Sequence, residues 1–360
     1  MKKLFHLFLV TSLLVSGTFV RGTPPTNQEL FENKHIVIIG GTGYLGRGIT
    51  AEVLKYNPKK VVIFSRDEVK HYFMEKSFDN NPKIKSILGD VRDYDSVLHG
   101  TRGADIVFHV AALKRMDALE SNVQEAIKTN VLGSINVFNA CVENDVPKAL
   151  FISTDKACLP INAYGACKFI SEKIFTNYDP SIKTKFVATR FGNIFDSTGS
   201  VVPFFIRKIQ NGEDITLTDE RMTRFVITAE DASKIIFDAL RYSVGGEIFV
   251  KRLTSFKVTD LIEVLKEHFN VDNPVRNIGL RPGEKLHEVL INESEMGRAY
   301  MFNDYFVIRP SIISDDHSAD AEYIKQGTRI EADHLTHFSS DQAIMSKSEL
   351  KHYFEQNFIK

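Results

Sequence analysis

The sequence carries almost no surplus of either charge, with 45 Lys and Arg against 46 Asp and Glu and a formal net charge of −1. That balance excludes a chain-wide basic field for gripping a nucleic-acid backbone or an anionic membrane, while leaving room for a local basic pocket. Cysteine is scarce too. Cys141, Cys158 and Cys167 offer neither the paired count of a disulfide framework nor the close Cys and His spacing of a zinc site, so they are read as reduced packing residues and no metal is expected. No internal repeat or low-complexity tract breaks the chain.

What is present is an ordinary globular composition. With 360 residues, 43% of them hydrophobic, the chain can bury one large core, or a main core with a smaller appended lobe. Its first residues read differently. Met1-Lys2-Lys3 precedes an apolar run from Leu4 to Val15 and the small residues Ser16 and Gly17, the outline of a secretory signal peptide. Phe19 and Val20 could extend the run into a short membrane anchor, and an upstream start codon is a third reading. Membrane contact is therefore expected only through residues 4–20, with the catalytic domain cytoplasmic. Gly22 to Asn27 reads as a linker, so folding is expected to begin near Leu30.

From Lys34 onward, short runs alternate with segments of helical period: His35–Ile39, Val61–Phe64, Ile84–Leu88, Ile106–His109 and Ala149–Ile152. Such alternation predicts an α/β fold, a doubly wound parallel sheet whose strands are buried on both faces. The turn after the first run, Gly40-Gly41-Thr42-Gly43-Tyr44-Leu45-Gly46, has the glycines that a tight turn, a close pyrophosphate and close helix–strand packing require. An ordinary loop is the plainer reading of an isolated glycine-rich turn; a strand before it and a helix after it favour a dinucleotide. The second run ends in Ser65-Arg66-Asp67. A hydroxyl and a guanidinium suit the 2′-phosphate of NADP, whereas Asp67 leaves NAD open. Asp90 and Val91 are placed for the adenine end, although Asp90 also suits a plain turn.

After the fifth run comes Ser153-Thr154-Asp155-Lys156-Ala157, then Tyr164-Gly165-Ala166-Cys167-Lys168. Tyr164 and Lys168 share a helix face. An ammonium beside the phenol is expected to lower its pKa from about 10, so that it takes a proton from a sugar hydroxyl as a nicotinamide takes the hydride. Asp155 and Lys156, adjacent in one loop, can divide acid and base roles. An incidental surface pair and a solvated turn are the plainer readings.

These stretches, with Gly89–Asp93, Ala111–Lys114, Arg190–Asn193, Gly199–Phe205, Arg221–Phe225 and Arg281–Glu288, resemble the UDP-N-acetylglucosamine 4,6-dehydratases, extended short-chain dehydrogenases, and in particular the C5-inverting type that opens pseudaminic acid synthesis. The resemblance runs from about His35 to Pro310. It implies C4 oxidation by Tyr164 and Lys168 with Thr154 near the same hydroxyl, C5 deprotonation by Lys156, departure of the C6 hydroxyl assisted by Asp155, and hydride return to C6. It implies NADP held by the glycine turn, Ser65, Arg66, Asp90, Val91, Ala111, Tyr164 and Lys168. For a UDP-N-acetylglucosamine substrate it implies Lys114, Asn193, Val202, Arg224, Arg281 and Glu284, Arg being suited to a diphosphate. The product would enter surface glycan or flagellin sugars, and a homo-oligomer is expected.

On this reading residues 1–29 are the N-terminal segment and linker, 30–190 the Rossmann core with the catalytic residues, 191–310 a smaller α/β substrate lobe crossed by the chain, and 311–360 a C-terminal extension, its acidic start at Asp315-Asp316 an excursion. The chain departs from the family pattern at Leu159, where Asn is usual, and at Ala163, Cys167, Asp196, Thr198 and Val226. Those changes bear on the sugar and on C5 stereochemistry. A UDP-sugar 4-epimerase, and a non-catalytic NADP-binding subunit, remain as alternatives.

Overall fold

A computed structural model describes residues 24–195, 200–312, 321–331 and 335–358. The readings made on residues 1–23, on Asp196 and Thr198, and on Asp315-Asp316 lie outside the described residues. Seven parallel strands form the heart of the molecule: β1 (His35–Ile39), β2 (Lys60–Ser65), β3 (Ile84–Leu88), β4 (Ile106–His109), β5 (Lys148–Ile152), β6 (Lys185–Arg190) and β7 (Ile248–Lys251). Their order is 3-2-1-4-5-6-7, and the antiparallel strands Tyr305–Ile308, Ala299–Phe302 and Thr328–Arg329 extend the sheet beyond β7. This is the doubly wound arrangement with its order reversing between β1 and β4, where ligands enter beyond the carboxyl ends of the strands. The register makes that edge level: Ile39 at the end of β1 faces Phe64 of β2 and His109 of β4.

The five expected strands match to within a residue, because their β-branched and aromatic residues fill both faces of the sheet. β3 differs. It is the sheet edge, so Lys85, Ser86 and Leu88 are exposed and only Ile84 is buried. The start of the fold differs as well. Thr26 and Glu29 form a reciprocal capping box on the helix Asn27–Phe31, whose Leu30 and Phe31 are buried. Asn27 bonds Tyr56 and Arg241, so the end of the expected linker is part of the folded body.

A second core lies beyond the sheet, built from Phe195, Val202, Phe205, Leu261 and Leu265 and completed by Leu350 and Phe354 of the C-terminal helix Lys347–Phe358. The stretch 191–310 is shared between the two cores, since β7 and Ala299–Ile308 belong to the main sheet. Among the described residues no helix is long and apolar enough to cross a membrane.

Candidate active site

The loop after β1 is shaped by contacts that only glycine permits. Gly40 has a φ of +84°, and a Cβ there would lie 2.6 Å from the backbone nitrogen of Ala111; a Cβ on Gly46 would lie 2.5 Å from Gly41 Cα. Gly43 then caps the helix Tyr44–Leu54 with no side chain over its amides, leaving a backbone cradle at a helix N-terminus that fits a pyrophosphate. Thr42 is buried, and its hydroxyl lies 3.0 Å from Ser65 Oγ, which is 2.9 Å from His71 Nε2. The hydroxyl at the end of β2 is thus oriented from two sides. His71 was not apparent from sequence, since it sits on a helix of weak amphipathicity.

Asp67 has another occupation. It caps the helix Glu68–Ser77 by accepting the Lys70 amide at 3.0 Å. Arg66 is half exposed, 3.7 Å from Asp90. Burial opposes ionisation of Asp90, but bonds from Arg92 outweigh it and hold the carboxyl below the usual range. Val91 is buried against Gly133. Arg66 also lines a cavity of about 370 Å³ with Leu113, Lys114, Arg115 and Glu125. Lys114 therefore stands in the same cavity as Arg66.

The catalytic candidates do converge. Thr154 caps the 3₁₀ turn Asp155–Ala157, and its hydroxyl donates to Asp155 Oδ1 at 2.8 Å. Lys156 Nζ lies 3.0 Å from the same oxygen, 3.4 Å from Glu288 Oε1 and 3.5 Å from Asn193 Oδ1. Burial opposes the Lys156 ammonium, yet Asp155 and Glu288 together raise its pKa above the ordinary lysine value. Glu288 was missed from the sequence as a site residue. Its signal was membership of the stretch Arg281–Glu288, where the arginine and Glu284 drew attention first.

The helix Ala163–Thr176 carries Tyr164 and Lys168 and is capped by Asn162, which accepts the Gly165 amide at 2.7 Å and donates to the Gly283 carbonyl at 2.8 Å. The expected phenol–ammonium pairing is corrected here. Lys168 is buried and donates to the Ile152 carbonyl at 2.7 Å, its Nζ 4.4 Å from the centre of the Phe151 ring. Burial takes its pKa down to about 7. Tyr164 is pushed up to about 12 by burial, and the groups that pull it back are the Lys156 charge and the Thr154 hydroxyl. The charge that favours the phenolate is therefore that of Lys156 and not that of Lys168.

The substrate candidates divide. Asn193 joins the Lys156 cluster. Arg224 is buried and donates to the carbonyls of Thr223, Leu286 and Lys285 at 2.7, 3.2 and 3.0 Å, with Glu284 3.5 Å away. It fastens the 281–288 loop. Glu284 also accepts the Arg281 amide at 3.3 Å, so it is an internal partner of the same loop. Arg281 itself is exposed, and its side chain makes no hydrogen bond among the described residues. Val202 is packed in the second core.

Two further buried groups brace the site. Arg190, fully buried, pairs with Glu172 of the catalytic helix and with Glu295 at 2.8 Å, and donates to the Leu290 carbonyl at 2.7 Å. Asn130 lies in a π-helical segment, Ile127–Leu132, and clamps both backbone groups of Leu113 at 2.8 Å; such segments mark functional sites.

The model of the polysaccharide biosynthesis protein family matches residues 36–310. The chain belongs to that family. Every candidate catalytic residue falls inside the span matched by the family. The chain is 43% identical to a UDP-N-acetylglucosamine 4,6-dehydratase (inverting) of Campylobacter jejuni over 79% of this chain and 85% of that one. It is also 40% identical to a UDP-glucose 4-epimerase of Rickettsia bellii, over 78% and 84%. Among solved structures, that of Pen from Bacillus thuringiensis superimposes with a TM-score of 0.83 at 34% identity, covering 92% of this chain and 99% of that one.

Proposed function

We propose that this family member is an NADP-dependent hydro-lyase that converts UDP-N-acetylglucosamine to a UDP-4-keto-6-deoxy-N-acetylhexosamine with inversion at C5, for surface glycan or flagellin sugars. One observation carries the reading: a largely buried lysine, Lys156, bonded to a buried carboxylate, Asp155, on a turn packed against the Tyr164 helix. The glycine cradle with Ser65 and Arg66 would hold the dinucleotide, which supplies the hydride acceptor for sugar C4 and the donor for C6. Tyr164 takes the C4 hydroxyl proton. Lys156 and Thr154 favour its phenolate.

Lys156 is charged at rest and must be discharged to act as a base. Asp155 is the acceptor in reach. Transfer of one proton from Lys156 to Asp155 creates the C5 base and the acid for the C6 hydroxyl together. A UDP-sugar 4-epimerase, the activity in the name of the Rickettsia relative, needs only C4 oxidation and hydride return to the other face of C4, and gives Lys156 no C5 proton to take. The cluster therefore favours elimination. Ile127, Leu132 and Ile170, apolar and exposed on the helices flanking the sheet, support a homo-oligomer.

The test is incubation with UDP-N-acetylglucosamine in deuterated water. Loss of water with deuterium at C5 and an L-configured product supports the dehydratase, provided Lys156→Ala abolishes water loss. Unchanged mass with altered C4 makes it an epimerase, and tight NADP binding without turnover makes it a binding subunit.

A further inference from the structure

Lys156 is held by two carboxylates, and only Asp155 is accounted for by the chemistry above. Glu288 comes from the far end of the 281–288 loop and is almost fully buried, with Oε1 3.4 Å from Lys156 Nζ. Its other oxygen has no hydrogen-bond partner among the described residues, and Lys285 Nζ lies 3.8 Å from it. A half-satisfied buried carboxylate is costly to keep. The loop does not need it as a fastener. The Glu288 amide donates to Ser340 Oγ at 2.9 Å, its carbonyl accepts the Ser340 amide at 2.8 Å, and Arg224 binds two carbonyls of the same loop. What the side chain does is place a second negative charge on the Lys156 amine.

We infer that Glu288 is a positioning residue for the elimination step, setting from the substrate lobe the charge state and location of the Lys156 amine that takes the C5 proton. The inference rests on the dehydratase reading. In the step concerned the C5–H bond breaks and its electron pair enters the C4–C5 enolate, while the proton forms an N–H bond with neutral Lys156. The C6–O bond then breaks and the oxygen leaves as water with the proton that Asp155 holds. Lys156 ends as an ammonium and Asp155 as a carboxylate, the resting state. Glu288 neither gains nor loses a proton. It faces the amine at rest and after the step alike, so what it adds is the place where the amine is held. The charged and titratable groups facing Lys156 are Asp155 on its own turn, Tyr164 on the following helix, Arg224 on the strand Thr223–Ile227, and Glu288 and Lys285 on the loop. Arg224 opposes the ammonium. Glu288 offsets it.

The experiment compares wild type, Glu288→Gln and Glu288→Asp with UDP-N-acetylglucosamine and NADP in deuterated water across pH. Substrate KM, C4 oxidation as transient nicotinamide absorbance, water loss and Tm are read separately. For Glu288→Gln, KM and C4 oxidation should stay within about threefold, the limb reporting Lys156 should move down by about one pH unit, and elimination at pH 7 should still fall at least about tenfold, because the lost placement of the amine outweighs the larger share of neutral base. Glu288→Asp should recover part of both. An unaltered pH profile and rate in Glu288→Gln overturns the inference, as does a parallel loss of C4 oxidation, elimination and Tm that Glu288→Asp shares. Wild type that releases no water from this substrate removes the dehydratase reading itself; wild type that does so beside an unaltered Glu288→Gln removes the inference alone.

Discussion

Gly165 lies so close to Lys156 that a Cβ on the glycine would sit 2.3 Å from the lysine carbonyl oxygen. The tyrosine helix and the acid–base turn are therefore packed with no room between them, and the second residue of Tyr164-Gly165 is fixed by that contact. Gly165→Ala must push the 3₁₀ turn or the helix aside. Overpacking of this kind costs about 1–3 kcal/mol. The larger expected effect is on rate, since displacing Lys156 and Asp155 relative to Tyr164 should slow water loss by about a hundredfold. Steady-state kinetics beside a melting curve check it. A variant with wild-type kcat would mean that the turn absorbs the methyl without moving its side chains.

Leu159 has a φ of 49° and is 55% exposed. The family's usual Asn at this position now has a physical reason, because a left-handed backbone costs an ordinary side chain about 1–2 kcal/mol and Asn less. Little apolar burial is lost on replacement. Leu159→Asn should raise Tm by about 2–4 °C, and the β-branched Leu159→Val should lower it. The idea fails if both variants melt like wild type.

Much of this was legible from the chain. The glycine turn and five strands followed from periodicity, because strands buried on two faces cannot hide their composition. The Asp155–Lys156 and Tyr164–Lys168 stretches were legible because short spacing on one turn and one helix forces proximity. What depended on distant contacts was not. Glu288 meets Lys156 only after the second lobe has folded back, and Lys168 looks like the tyrosine's partner until its burial and its bond to Ile152 are seen. Arg224 reads as an open fork in sequence, whereas its donors go to loop carbonyls. The C-terminal helix gave no sign that Leu350 and Phe354 complete a core, since its mean composition is polar.

Arg66 stands at the end of β2, half exposed, beside a hydroxyl oriented by Thr42 and His71, while Asp67 is committed to its helix cap. A guanidinium in that place would bond a 2′-phosphate and has no such use for a bare ribose. Charge-assisted hydrogen bonds contribute about 1.5–3 kcal/mol, so Arg66→Ala should weaken NADP binding by about ten- to a hundredfold and leave NAD nearly unchanged. Calorimetric titration with both dinucleotides decides. Equal loss for the two would place Arg66 elsewhere on the cofactor or in folding alone.

Lys168 carries a further consequence for stability. Burial lowers its pKa from 10.5 to about 7, so between those values the unfolded chain holds a proton that the folded one does not. Stability then rises with pH across this window. The penalty is complete below pH 7 and fades as the pH approaches the unfolded value. Lys168→Met removes the amine, so it should abolish turnover and yet melt higher relative to wild type near pH 7 than near pH 10. The lost bond to the Ile152 carbonyl is the same at every pH and leaves the slope untouched. The difference in Tm should shrink by about 4 °C or more from pH 7 to pH 10. A difference that stays constant would mean that Lys168 is charged throughout in the folded protein, and that its amine has a partner strong enough to offset its burial.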